Sequence, residues 1–317
     1  MKQQPLFVLI GPTGVGKTEL GLKIALEFNL PLVSADSRQI YKEMTIGTAS
    51  PSEEELKNIQ HYFIATKSVN EDYNAGTYAK DCLNLLNKLY KKHNTPPCFA
   101  ILLGGSMLYI DAVCYGLDNI PTTSQQIKQQ TLHLYQKYGI NWLQTQIQKI
   151  DPLYWNEVDK NNTARLMHCL EVYTATGIPY STYRKKMNLT PNTHQTNFPI
   201  IKIGLQRNRE QLYQRINNRV DLMFEQGLLD EAQKLYNTYS HLSPIPNSLL
   251  SVGYRELFDY FKGHLTLEQT KNLIKQNSRH YAKRQMTWWR KQKEIKWINA
   301  TDNYDNIKNQ ILHLLNF

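Results

Sequence analysis

The chain has 317 residues, 41% of them apolar, and 37 Lys and Arg against 27 Asp and Glu give it a formal charge of +10. That length suits a large core with an insertion; no stretch approaches the roughly 18 uninterrupted apolar residues of a membrane span, and strand signal from residue 6 leaves no room for a signal peptide, so no membrane partner is expected. Cys82, Cys98, Cys114 and Cys169 form no C-x-x-C pair, which argues against a zinc knuckle or disulfide framework and for a reduced, cytoplasmic protein.

In chain order, 6-LFVLI-10 reads as a buried strand and residues 18–28 as a helix. Between them 11-GPTGVGKT-18 fits G-x-x-x-x-G-K-[ST]. Such a loop turns backbone N–H groups around phosphate oxygens, so Gly11, Pro12, Thr13, Gly14, Val15, Gly16, Lys17 and Thr18 are expected to hold a diphosphate. Lys17 would neutralise it, and the Thr18 hydroxyl would help hold Mg²⁺. The motif says nothing of the reaction. The run 31-PLVSADS-37 reads as a second strand ending in an acid. Asp36 there is open to three readings: a metal-shell ligand, a general base, or a helix N-cap. Residues 77–94 have helical apolar spacing, and 98-CFAILLGGS-106 is a strand running into a Gly-Gly turn. A nucleotide hydrolase usually has an acid at the end of such a strand; none is present.

Alternating strands and helices predict an α/β fold, a P-loop NTPase-like parallel sheet flanked by helices, with ligands at the carboxyl ends of the strands. From residue 118 strand signals vanish until 198-FPIIKIGL-205, and 163-TARLMHCLEVYTATG-177 is helical. The expected organisation is therefore a core of residues 1–117 and 198–317 with basic C-terminal helices, and an all-helical insertion domain over 118–197. Within the latter, 185-KKMNLTPNTHQTN-197 reads as a mobile linker. Amphipathic helices are expected over 210–227, 229–239 and 266–290. Residues 271–296 hold nine Lys and Arg against the single acid Glu294. Lys271, Lys275, Arg279 and Lys283 recur every four residues and predict one cationic stripe able to follow a phosphate backbone, with Ile274, Tyr281 and Trp288 on the buried side.

The motifs 11-GPTGVGKT-18, 34-SADSRQIY-41, 45-TIGTASP-51, 73-YNAGTY-78, 104-GGSMLY-109, 165-RLMHCLEV-172, 252-VGYREL-257 and 279-RHYAKRQMTWWR-290, in this order, resemble the tRNA dimethylallyltransferase (isopentenyltransferase) family along almost the whole chain. The resemblance implies transfer of a dimethylallyl group from dimethylallyl diphosphate to the N6 amine of the adenosine 3′ of the anticodon (tRNA position 37). The loop then cradles a leaving group, Asp36 takes the amine proton, Lys17, Mg²⁺ and Arg165 stabilise the departing diphosphate, and Ser106 bonds near the reacting amine. It further implies that the tRNA anticodon stem-loop meets Asp36, Ser37, Arg38, Gln39, Ser106 and the stretch Ala164, Arg165, Leu166, Met167 and His168; the charge pattern adds Lys275, Arg279 and Lys283. A monomer is expected.

Four positions depart from the family pattern, one of them Tyr62, which follows His61 where a second His is common. Ser106 stands where Thr is usual, Met107 where Gly is usual, which predicts a reshaped allyl pocket, and His168 replaces the second Arg of R-x-x-R. The rival readings are a P-loop small-molecule kinase, a free-adenylate prenyltransferase, and an RNA-binding protein with a decayed loop. The basic segment and the missing acid after strand 98–103 argue against the first. The long insertion argues against the second, and intact Gly16, Lys17, Thr18 and Asp36 against the third.

Overall fold

A computed structural model of the chain describes residues 4–92, 97–184 and 196–316. Strand β1 (Leu6–Ile10) has no polar residue on either face, the mark of a strand covered on both sides, and all five of its side chains are 0% exposed. It is followed by α1 (Lys17–Phe28), β2 (Leu32–Ala35), α2 (Glu53–Asn58), β3 (His61–Tyr62), α3 (Ala75–Lys92), β4 (Ala100–Gly104) and α4 (Met107–Tyr115). Helices α5 (Gln125–Ile150), α6 (Pro152–Glu157), α7 (Thr163–Thr176) and α8 (Tyr180–Tyr183) come next. The chain then continues through β5 (Ile200–Gln206), α9 (Arg209–Glu225), α10 (Leu228–Tyr239), α11 (Tyr254–Phe261), α12 (Leu267–Trp289), β6 (Lys296–Asn299) and α13 (Tyr304–Leu314).

The six strands form one sheet in the order β3-β2-β4-β1-β5-β6, every pair parallel. Successive strand residues point to opposite faces. Leu6, Val8 and Ile10 therefore pack with Tyr78, Cys82 and Leu86 of α3 and Ile110 and Val113 of α4, while Phe7 and Leu9 pack with Leu20 and Ile24 of α1 and Ile307 and Ile311 of α13. Each such aliphatic burial is worth about 1.5–3 kcal/mol, so β1 anchors both layers. The edge strands β3 and β6 and the helix α13 have no counterpart among the predicted elements.

The chain divides into two compact units, Met1–Gly116 with Pro191–Phe317, and Leu117–Thr190. The second unit is helical. Leu143, Ile147, Tyr154, Val158, Leu166 and Cys169 form its core, and the buried Asp151 ties its loops by accepting from Tyr154 N at 3.0 Å and Ser181 Oγ at 2.7 Å. Residues 185–195 of the segment read as a linker lie outside the described residues. No described helix is long and apolar enough to cross a membrane.

Candidate active site

The ends of three neighbouring strands, β2, β4 and β1, carry Asp36, Ser106 and the glycine-rich loop. Gly16 precedes α1 with φ 112°, a left-handed conformation that a side chain would strain. No side chain caps α1, which leaves its first N–H groups and the positive end of its dipole for an anion. A cavity of about 460 Å³ opens there, walled by Gly14, Gly16, Lys17, Thr18, Glu19, Glu55, Arg215 and Arg219 among others. Lys17 Nζ donates to the carbonyls of Gly11 at 2.8 Å and Pro12 at 2.9 Å. Burial, and after it the neighbouring Arg219, lowers the Lys17 pKa to about 7 against the pull of Asp36.

Asp36 Oδ1 accepts from the backbone N–H of Arg38 at 2.8 Å and of Gln39 at 3.3 Å. No helix begins at Asp36, so the helix N-cap reading is not realised; one oxygen caps a turn instead, and no hydrogen bond to Oδ2 occurs among the described residues. Ser106 is the N-cap of α4 but makes no side-chain bond to its own helix. Its Oγ accepts from Ser37 N at 2.8 Å and donates to Ser37 Oγ at 3.1 Å, which fastens the Asp36 turn to the end of β4. Tyr281 Oη donates to the Gly105 carbonyl at 3.2 Å, and burial, then the charge of Asp36, pushes its pKa up to about 12.

Helix α9 crosses this region. Arg215 Nε donates to the Gly14 carbonyl at 2.9 Å. The Arg219 guanidinium donates to Thr13 Oγ1 at 3.4 Å and the Thr48 carbonyl at 3.3 Å, and burial lowers its pKa while Asp36 opposes the shift. Arg219 lines the loop cavity and also a second cavity of about 430 Å³. The second cavity is lined by cationic residues (Arg38, Arg219, Arg255, Arg284), by apolar ones (Ile216, Val220, Met223, Leu228, Ile274), and by Asp36. Ser37, Arg38 and Tyr281 belong also to a third cavity of about 600 Å³, with Ser106, Met107, Leu108 and Tyr109. Three cavities therefore follow one another past the loop, Asp36 and Ser106. Met107 lines the third cavity and not the second.

Residues 164–168 belong to the helical unit. Ala164 and Arg165 are exposed in the first turn of α7, whose start is capped by Asn162 through the Arg165 N–H at 3.2 Å. Leu166 is 0% exposed in that unit's core. Met167 packs against the same core. His168 lies 3.6 Å from Glu171 and edge-on to Tyr180.

The cationic stripe also differs from its expected form. Lys275 pairs with Asp221 at 2.6 Å, Arg279 donates to Asn217 at 2.7 Å, and Lys271 sits 4.9 Å over the Phe224 ring. These three face α9 instead of an open surface, because α9 supplies the acid, amide and ring at matching helical spacing. Lys283 is exposed, as are Arg290, Lys291, Lys293 and Lys296 beyond it. On the opposite face Ile274 is buried as expected, but Tyr281 turns to the cavities and Trp288 donates to Asp111 at 2.6 Å.

Arg215, Arg219, Gln285 and Tyr281 are site residues that the sequence reading missed. Arg215 and Arg219, four apart and beside the apolar positions 212, 216, 220 and 223, were the available signal for a helix laid on an anion site.

A family model described as IPP transferase matches residues 39–292. The chain is 45% identical over 312 residues to "tRNA dimethylallyltransferase 1" of Phocaeicola vulgatus, covering 98% of both chains, and 44% identical to the protein of that name from Bacteroides thetaiotaomicron, covering 93% of this chain and 91% of the other. It is similar to the crystal structure of the full-length tRNA isopentenylpyrophosphate transferase of Bacillus halodurans, with TM-score 0.69, 32% identity, and 99% and 97% of the two chains covered. A eukaryotic dimethylallyltransferase acting on tRNA shares the fold, with TM-score 0.78, 24% identity, and 97% and 77% covered.

Proposed function

Because the chain belongs to the tRNA dimethylallyltransferase family, we propose that it transfers the dimethylallyl group of dimethylallyl diphosphate to N6 of the adenosine 3′-adjacent to the anticodon (position 37) of tRNA, releasing diphosphate. The observation that carries the reading is an anion-binding loop and a carboxylate with one unbonded oxygen on the walls of adjoining cavities that share Arg219. The second cavity has apolar lining residues, which suit a five-carbon chain, and cationic ones, which suit its diphosphate.

An adenine amine is a weak nucleophile, since its lone pair is delocalised into the ring. As its nitrogen bonds to the allylic carbon, the carbon–oxygen bond to diphosphate breaks and the amine proton passes to Asp36. Charge accumulates on the leaving oxygens, and Lys17, Arg219 and the backbone N–H groups of residues 14–18 are the preorganised donors for it. The leaving-group role expected of Arg165 is thus supplied from within the core by Arg219, and exposed Arg165 is assigned to the RNA. Ser37, Arg38, Gln39 and Ser106 hold the adenosine, which must be unstacked from the anticodon loop at a cost of a few kcal/mol. The third cavity gives it a path separate from that of the donor.

Thr18 and the carboxylates of Glu19 and Glu55 on the loop cavity are hard oxygen donors of the kind Mg²⁺ takes in small number beside phosphate oxygens. No cluster of three or more His, Cys, Asp or Glu suited to a metal occurs among the described residues, so the ion would be held largely by the diphosphate. When bound it neutralises charge on the leaving group. We assign the protein to the cytoplasm as a monomer.

The test is mass spectrometry of tRNA nucleosides after incubation with dimethylallyl diphosphate and Mg²⁺. Alkylated adenosine at the anticodon-adjacent position is expected. Consumption of ATP's terminal phosphoryl group with the adenosine unmodified would instead establish the kinase reading.

A further inference from the structure

Backbone ladder bonds hold β2, β4 and β1 in register only as far as Ala35↔Gly104 and Ile10↔Gly104. Asp36, Ser106 and the phosphate loop lie beyond that point, where a backbone bond still ties the turn after β4 to β2 but, among the described residues, none ties it to the phosphate loop after β1. Their relative placement within a fraction of an ångström must come from elsewhere, because a 1 Å error can cost about a hundredfold in rate.

Gln285, near the C-terminal end of α12, is 0% exposed. Its Oε1 accepts from the backbone N–H of Thr13 at 2.8 Å, and its Nε2 donates to the Gly105 carbonyl at 2.8 Å. The amide orientation follows from its partners, since an N–H can only donate and a carbonyl can only accept. One side chain thus joins the phosphate loop after β1 to the turn after β4. From Gly105 the linkage continues through Ser106 N to the Ala35 carbonyl at 3.1 Å and through Ser106 Oγ to Ser37 N at 2.8 Å, reaching the turn that carries Asp36. The fit is close: a Cβ added at Gly105 would come within 2.6 Å of Gln285 Nε2.

We propose that Gln285 is a positioning residue that replaces the missing ladder bonds and sets the distance between the departing diphosphate and the attacking amine. It lines none of the three cavities, so it acts on transfer more than on binding. This rests on the transferase reading above. Loosening the link would let the donor ionise while the amine is out of line, and water would then take the allyl group in its place: the carbon–oxygen bond to diphosphate breaks, water oxygen bonds to the allylic carbon, and its proton leaves to solvent, giving the allylic alcohol.

The experiment compares wild type with Gln285→Met, which keeps the length and loses both bonds, and Gln285→Glu, which keeps an acceptor for Thr13 and loses the donor to Gly105. Measured are single-turnover transfer, pyrophosphate and tRNA affinities, melting temperature, and allylic alcohol formed per tRNA modified. A 10- to 100-fold slower transfer is expected for Gln285→Met, with both affinities within threefold of wild type and a raised alcohol-to-transfer ratio. Gln285→Glu should show the same raised ratio, and it decides the matter if Gln285→Met does not fold. Transfer within twofold of wild type, or a loss matched by equal losses in affinity and melting temperature with an unchanged ratio, overturns the proposal. A wild type that transfers nothing sinks the function itself; an active wild type beside equally active variants sinks only this inference.

Discussion

Lys17 carries a prediction that can be worked through to a number. Burial, with a smaller contribution from Arg219, lowers its pKa to about 7, yet an anion in the loop needs the ammonium form. At pH 8 a group with that pKa is about ten parts neutral to one part charged, so binding must first add a proton at a cost of roughly 1.4 kcal/mol per pH unit above 7. The affinity for pyrophosphate should therefore fall about tenfold per unit between pH 7.5 and 9, with about 0.9 proton taken up per site at pH 8. Below about pH 6 the uptake by Lys17 should vanish. The sign for stability follows from the same shift. Between about 7 and 10.5 the unfolded chain binds the proton that the fold gives up, so the anion-free fold gains stability as pH rises through that window and has least from this group below it. The assay is isothermal titration calorimetry with pyrophosphate in buffers of different ionisation enthalpy, beside Lys17→Arg, whose guanidinium stays charged throughout. Titration of pyrophosphate itself is common to both proteins, so the difference isolates Lys17. Equal pH slopes and equal proton uptake in the two would refute the argument.

Asp36→Asn should abolish transfer while tRNA affinity stays within severalfold of wild type, checked by single-turnover transfer and filter binding. Arg219→Met should lower transfer by about 10²–10³, the loss seen when one preorganised donor to a developing anion is removed, and melting curves will separate that from unfolding. Neutralising Lys283, Arg290, Lys291 and Lys293 should reduce the slope of log affinity against log salt for tRNA by about 0.7–0.9 for each phosphate no longer neutralised. Neutralising Lys275 and Arg279, which are held by α9, should lower the melting temperature and leave that slope nearly unchanged. Lys202→Met should cost about 3–5 kcal/mol in denaturant unfolding. Lys202 and Asp111 are each 1% exposed and 3.5 Å apart, and removing the cation strands the carboxylate among Tyr115, Gln292 and Trp288.

Local chemistry was legible in the residues themselves. The strand-loop-helix at 6–28, the acid ending β2 and the Gly-Gly-Ser ending β4 are each encoded within about ten neighbouring residues, as a period, a turn residue or a motif. The four-residue spacing of Lys271, Lys275 and Arg279 does place them on one helix face, which Lys283 leaves. What that face meets was not legible, because Asp221, Asn217 and Phe224 lie some fifty to sixty positions earlier and only packing brings α9 against α12. The same packing recruits Arg219 to the loop and Gln285 to Thr13, across 206 and 272 positions of sequence. Sequence by itself determined which groups can bind an anion and take a proton, since that follows from side-chain chemistry and short-range backbone geometry. Only the tertiary structure decided which cations are already engaged, which carboxylate oxygen is left unbonded, and which buried amide holds the loops together, because long-range partners are selected by the burial of whole helix faces and leave no period in the chain.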